Sequence, residues 1–182
     1  MSAARSTGFA PLFVAVAAGA FAQAPAPPVA EPPAKPAFEA KAIVLEPVHA
    51  LVLPMKGSYQ QHPDAFAKLG AFFASKGMAP QGPPFGRYFS DPSVGEANLV
   101  WEVGFPVAAG VVAEAPFEIK DVPKALTVVH VHRGAMEDLG SAWAQMIEWV
   151  ISNGYQPAGP AAQVFKGDLA SAPEVEMQMP VK

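Results

Sequence analysis

The chain has 182 residues, of which 51% are hydrophobic and 15% charged, with a formal charge of -4 at neutral pH and no cysteine. That suits one compact domain with short appendages and ample core material. It excludes disulfides, thiol catalysis and thiolate metal sites, and its 12 scattered Lys and Arg offer no clustered basic face for nucleic acid.

Arg5 precedes an apolar run from Phe9 to Phe21, and Ala20-Phe21-Ala22 supplies a small-x-small cleavage pattern. Residues 1–22 therefore read as a secretory signal peptide. The run of about 13 residues is too short to cross roughly 30 Å of hydrocarbon. The expectation is a periplasmic or secreted bacterial protein whose mature part has no transmembrane segment. Residues 23–37 carry Pro25, Pro27, Pro28, Pro32, Pro33 and Pro36 and read as an extended linker. The folded domain is expected over 38–182.

Within it, Ile43 and Leu45, then Leu51 and Leu53, alternate as strand residues do. Phe66, Leu69, Phe72 and Phe73 form a helical stripe from about Pro63 to Lys76, and Gly77 stands where a helix-ending glycine belongs. Strands follow near Phe85–Phe89 and Asn98–Phe105. The pattern then returns. Leu126, Val128 and His130 alternate, and Leu139, Trp143, Met146, Ile147 and Val150 stripe a helix from about Met136 to Ser152, closed by Gly154. The last strands fall near Ala162–Lys166 and Val175–Val181.

This return is a duplication. Gly57, Gly77, Gly82 and Pro83 recur 77 residues later as Gly134, Gly154, Gly159 and Pro160, and Phe66, Leu69 and Phe72 recur as Trp143, Met146 and Trp149. After a three-residue deletion, Glu102 with Pro106-Val107 falls on Glu176 with Pro180-Val181. Upstream, Phe38-Glu39 is paired with Phe117-Glu118. The repeats span about 38–107 and 117–182. The fold class is α+β: duplicated ββαββ units forming a pseudo-twofold antiparallel sheet, two helices on one face and a central ligand cleft on the other.

Alternation in the last strand of each repeat sends Leu99, Trp101, Val103 and Phe105, and Val175, Met177, Met179 and Val181, under the helices. Glu102 and Glu176 then point into the cleft. A carboxylate among apolar walls suits a cationic aromatic ligand, and Tyr88 and Phe165 are candidate walls. His130 and His132 share a strand face, but a His-x-His pair lacks the further ligands that a metal site needs. No metal and no cofactor is expected, G-x-S-x-G is absent, and the glycine-rich pieces match no phosphate loop.

The segment His130-Val131-His132-Arg133-Gly134, the stretch from Trp143 to Tyr155, and the closing Glu176-Met177-Gln178-Met179-Pro180-Val181 together resemble the GyrI-like small-molecule-binding domain. That domain also serves as the effector-binding module of bacterial transcription regulators. Arg87-Tyr88-Phe89-Ser90-Asp91-Pro92 fits its first-half strand. The resemblance covers about 38–182 and implies a duplicated ββαββ architecture with a cleft glutamate, Glu176, and its pseudo-symmetric partner Glu102. The sequence departs from the family's usual setting in having no helix-turn-helix module, in its export signal, and in Ala135-Met136 where an aromatic residue follows the glycine.

The leading expectation is an exported protein that senses or sequesters an aromatic or cationic small molecule. Some members of the resembled family hydrolyse strained electrophilic toxins, which would make Glu176 a general acid/base. A tetrapyrrole binder like the duplicated SOUL-type domains, and an interaction-only role, are the other readings the sequence leaves open.

Overall fold

The computed structural model describes residues 38–167 and 173–182; the expected signal peptide (1–22) and linker (23–37) lie outside the described residues. The first repeat contributes β1 (Lys41–Leu45), β2 (Val48–Lys56), α1 (His62–Ser75), β3 (Phe85–Tyr88) and β4 (Val100–Pro106). The second contributes β5 (Glu118–Val122), β6 (Ala125–Arg133), α2 (Leu139–Ser152), β7 (Ala161–Lys166) and β8 (Glu174–Pro180). The 77-residue offset holds to the residue for β1 and β5, β2 and β6, α1 and α2, and the short 3-10 turns Tyr59–Gln61 and Met136–Asp138. β4 and β8 are offset by 74, as the three-residue deletion requires. One part of the sequence alignment changes. The structural offset pairs Phe117 with Ala40, so Phe38-Glu39 lie two residues upstream of the true equivalents of Phe117-Glu118.

Both helices end alike because the glycine after each can adopt positive φ. Gly77 (φ 63°) donates its N–H to Ala74 while Met78 donates to Phe73; Gly154 (φ 79°) donates to Ile151 while Tyr155 donates to Val150. These paired bonds satisfy carbonyls that a helix end otherwise leaves open.

The eight strands form one antiparallel sheet in the order β1-β6-β8-β7-β3-β4-β2-β5. That order is a palindrome of repeat positions (first, second, fourth, third, then the reverse), so the pseudo-dyad passes between β3 and β7. The first strand of each repeat is exchanged: β1 pairs with β6 and β5 with β2. This exchange dictates the sheet's shape. In a flat sheet β1 and β2 would lie six strand spacings apart, about 29 Å. Only Glu46 and Pro47 connect them, a reach of about 11 Å between flanking Cα atoms. Pro123 and Lys124 join β5 to β6 under the same constraint. The sheet therefore has to curl until its opposite edges approach, and both links border the concavity so formed.

Side chains divide between the two faces as alternation dictates. On one face α1 buries Leu69, Phe72 and Phe73 against Leu51, Leu53, Trp101 and Val103. On the same face α2 buries Ala142, Met146 and Val150 against Val128, Val175, Met177 and Met179. Ile147, expected in that stripe, is 44% exposed; the buried line runs through Ala142, Met146 and Val150, and Ile147 lies one position beyond it. The opposite, open face carries a smaller apolar cluster of Ala50, Val52 and Phe85, with Val48 and Val164 against it. Among the described residues no helix is long and apolar enough to cross a membrane.

Candidate functional site

The concave open face holds a cavity of about 500 Å³ that straddles the pseudo-dyad. Its mouth is bordered by the two exchange links, through Glu46 and its repeat equivalent Pro123. Its floor comes from the centre of the sheet: Phe85 and Arg87 of β3, Ala162 and Val164 of β7, and Glu176 and Gln178 of β8. Five prolines (Pro83, Pro106, Pro123, Pro160 and Pro180) line it as rigid, mostly apolar surface. Four of them are two matched pairs of the repeat, Pro83 with Pro160 and Pro106 with Pro180.

Glu176 stands in this cavity because β8 alternates cleanly, with Val175 and Met177 at 0% exposure beneath α2 and Glu176 between them on the open side. It is flanked by Val131 on β6 and Val164 on β7. Its Oε2 accepts from Lys166 Nζ at 2.6 Å and its Oε1 from the Gln178 amide at 2.8 Å. Burial pushes its pKa up, but the bonds from Lys166 and Gln178, with the nearby charges of Lys166 and Lys41, outweigh that and hold it below the ordinary carboxylate value. Glu176 is therefore an anion at neutral pH.

Glu102, its repeat partner, also sits on the open-face side of its strand, but it is closed off. It is 1% exposed, with Oε1 accepting from Arg87 at 2.9 Å and Oε2 from Lys120 at 2.8 Å. Both oxygens are committed to cations, Arg87 on adjacent β3 and Lys120 on β5 one strand beyond β2, so Glu102 fixes Arg87 in the cavity floor and does not line the cavity itself. Lys120 contacts Glu118 as well, at 3.2 Å. Desolvation pulls the Lys120 pKa down, yet the bonds to Glu102 and Glu118 leave it raised overall.

The expected aromatic walls lie elsewhere. Tyr88 and Phe165 project to the helix face. The Tyr88 hydroxyl lies between His62 Nε2 at 3.1 Å and the Gln163 side-chain amide at 2.8 Å, and burial drives its pKa upward. Phe165 packs in the α2 cluster and edge-on to Phe66, with ring centroids 5.6 Å apart. The reason is register. Phe85 and Arg87 take the open face of β3, which sends Tyr88 beneath α1; Val164 and Lys166 take the open face of β7, which sends Phe165 beneath α2. The aromatic surface of the cavity is Phe85, a residue the sequence reading had placed only within a strand.

The histidines have structural partners. His62 stacks on Trp101 with centroids 4.3 Å apart, and burial lowers its pKa against the raising effect of its bond to the Tyr59 carbonyl. His130 donates from Nδ1 to the Glu39 carbonyl at 2.7 Å and stacks on Phe38; His132 donates from Nε2 to the Ala135 carbonyl at 3.0 Å. His49 meets Asp121 at 2.7 Å. None of the four lines the cavity, so it offers no imidazole to a haem iron. Among the described residues no group of three or more His, Asp or Glu is arranged to hold a metal.

Comparison with known proteins places this geometry. The model of the GyrI-like small molecule binding domain matches residues 40–182. No curated protein matches the chain. Among solved structures, EcmrR in its complex with DNA superposes with a TM-score of 0.71 at 17% identity over 80% of this chain; the chain spans 58% of that one. A hydrolase from Listeria innocua gives 0.58 at 14% identity, covering 82% of this chain and 94% of the other. SAV2435 bound to tetraphenylphosphonium gives 0.55 at 13% identity, covering 80% and 94%.

Proposed function

The chain belongs to the GyrI-like small molecule binding domain family, and from that premise we propose that it is an exported bacterial protein that senses or sequesters an aromatic, singly cationic molecule in the open-face cavity. The observation that carries this reading is Glu176, an anion set among Phe85, Val164 and proline surface in a cavity of about 500 Å³. That volume lies within the usual range of drug-sized sites, about 300–1,000 Å³. A carboxylate partly withdrawn from water attracts a cation more strongly than one in bulk solvent, while flat apolar walls take up its rings. SAV2435 offers a parallel, since the molecule bound to it is an aromatic monocation. The saturation of Glu102 by Arg87 and Lys120 leaves one acidic partner in the floor, which favours one positive charge over two.

Export rests on Arg5, the Phe9–Phe21 run and the Ala20-Phe21-Ala22 pattern. Fractionation of bacterial cells with N-terminal sequencing of the product tests it: a mature chain beginning at Gln23 outside the cytoplasm supports export, and an intact Met1 in the cytosol rejects it. The binding reading is tested by calorimetric titration of the mature chain with tetraphenylphosphonium, in wild type and Glu176→Gln. Binding in the first and its loss in the second supports the cavity carboxylate as the counter-charge.

Hydrolysis remains the alternative reading, motivated by the Listeria innocua hydrolase fold. It asks Glu176 to take up and return a proton, and the depressed pKa suits a standing anion better.

A further inference from the structure

We infer that Lys166 is a built-in competitor for the cavity carboxylate: its ammonium occupies the place on Glu176 that a cationic ligand takes, and so sets both the affinity and the charge selectivity of the site. The inference rests on the reading of the cavity given above and adds the residue that tunes it.

Lys166 Nζ lies 2.6 Å from Glu176 Oε2, and both residues line the cavity. The two are not equally held. The Glu176 side chain is 18% exposed on a central strand and its second oxygen is fixed by Gln178, whereas the Lys166 side chain is 38% exposed at the last residue of β7. A four-carbon stem at a strand end can swing its charge into water at little cost, while the carboxylate cannot follow. Lys166 also breaks the internal symmetry. At the 77-residue offset its equivalent is Phe89, and among the described residues Glu176 is its ion-pair partner while Glu102 is held by Arg87 and Lys120 instead. Glu102 is thus held by two cations, one of them only 15% exposed, and Glu176 is latched by a single cation able to leave.

A cation arriving at Glu176 either displaces the ammonium or shares the carboxylate with it against like-charge repulsion. Either way, removing the charge at position 166 strengthens cation binding. Adding a forked guanidinium, which grips a carboxylate at two points, weakens it.

The test is calorimetric titration of the mature protein with tetraphenylphosphonium and with tetraphenylborate, an anion of nearly the same shape. Wild type, Lys166→Met, Lys166→Arg, Glu176→Gln and the Lys166→Met/Glu176→Gln double variant are compared, each with its melting temperature recorded. Lys166→Met is expected to tighten tetraphenylphosphonium by up to about fivefold, the scale of a part-exposed ion pair. Lys166→Arg should loosen it, the double variant should lose the gain, and tetraphenylborate should bind no tighter to Lys166→Met. Unchanged or weaker cation binding in Lys166→Met, alongside loss of binding in Glu176→Gln, overturns the competitor role while the cavity reading stands. Tighter binding of both ions equally also overturns it, since that marks enlarged space rather than released charge. No binding by any variant rejects the cavity reading and this inference together.

Discussion

Glu102 and Glu176 occupy the same place in the last strand of the two repeats, 74 residues apart, and point to the same face of one sheet. One is sealed at 1% exposure between Arg87 and Lys120; the other lines the cavity, held by Lys166 and Gln178. Duplication supplied two carboxylates, and the side chains around each gave them different tasks. Glu102 became part of the scaffold and Glu176 the polar group of the site.

The scaffold role predicts a stability phenotype. Arg87→Met leaves the Glu102 carboxylate buried with Lys120 as its remaining cation. Breaking a buried pair by removing one partner costs about 3–5 kcal/mol, and the surviving Lys120 contact places this case at the lower end. Urea unfolding should show the midpoint falling for Arg87→Met and largely recovering in Arg87→Met/Glu102→Leu.

Glu176 predicts a pH dependence. Its folded pKa is depressed below the ordinary value of 4.5, so its ion pair stabilises the fold fully above the unfolded pKa and is lost as pH falls through the folded one. Wild type should therefore exceed Glu176→Gln in stability by a constant margin above about pH 5.5, one unit past the unfolded value. That margin should close as the solution is acidified below 4.5. A margin that grows on acidification contradicts the assignment.

Gly104 predicts a packing limit against Phe85, the aromatic residue of the cavity floor. A Cβ there would stand 2.7 Å from the Leu51 carbonyl oxygen, 2.8 Å from Val52 Cγ1 and 2.9 Å from the Phe85 ring. Backbone on one side and two packed side chains on the other leave little room to yield. Gly104→Ala should cost about 1–3 kcal/mol in thermal or urea unfolding and should disturb Phe85.

The two faces of β7 predict separable effects. Phe165→Ala removes a ring from the α2 cluster and should destabilise by about 3–5 kcal/mol while leaving ligand affinity of the folded fraction unchanged. Val164→Trp, on the open face, should fill the cavity and abolish tetraphenylphosphonium binding with a much smaller change in melting temperature. The reverse pattern would place the ligand under the helices.

Much of this was legible in the residues, for physical reasons. Where polar and apolar residues alternate without a break, as in Glu174-Val175-Glu176-Met177-Gln178-Met179, the face of every side chain can be read directly. The helix stops were legible in Gly77 and Gly154, and the duplication in matched glycines and prolines. The wall residues were not. Val164-Phe165 and the short Phe85-Gly86-Arg87-Tyr88 place apolar or aromatic side chains on both faces, so alternation is silent there. The sequence makes Tyr88 and Phe165 candidate walls and gives Phe85 no such mark, whereas in the fold Tyr88 and Phe165 lie under the helices and Phe85 lines the cavity. Ile147 fell outside the buried stripe because Met146 and Ile147 are adjacent and equally apolar. The strand exchange left no local trace: Glu46-Pro47 and Pro123-Lys124 look like ordinary short connections, and only pairing with the far edge reveals the crossing.

The central claim, that the ligand enters the concave open face at Glu176, is tested most directly by methyl NMR of the mature protein during titration with tetraphenylphosphonium. The ring currents of the bound cation should shift Leu45, Val48, Val122 and Val164, which line the cavity, and leave Leu69, Met146 and Val150 beneath the helices unmoved. Shifts confined to that second group would contradict the account and move the site to the helix face of the sheet.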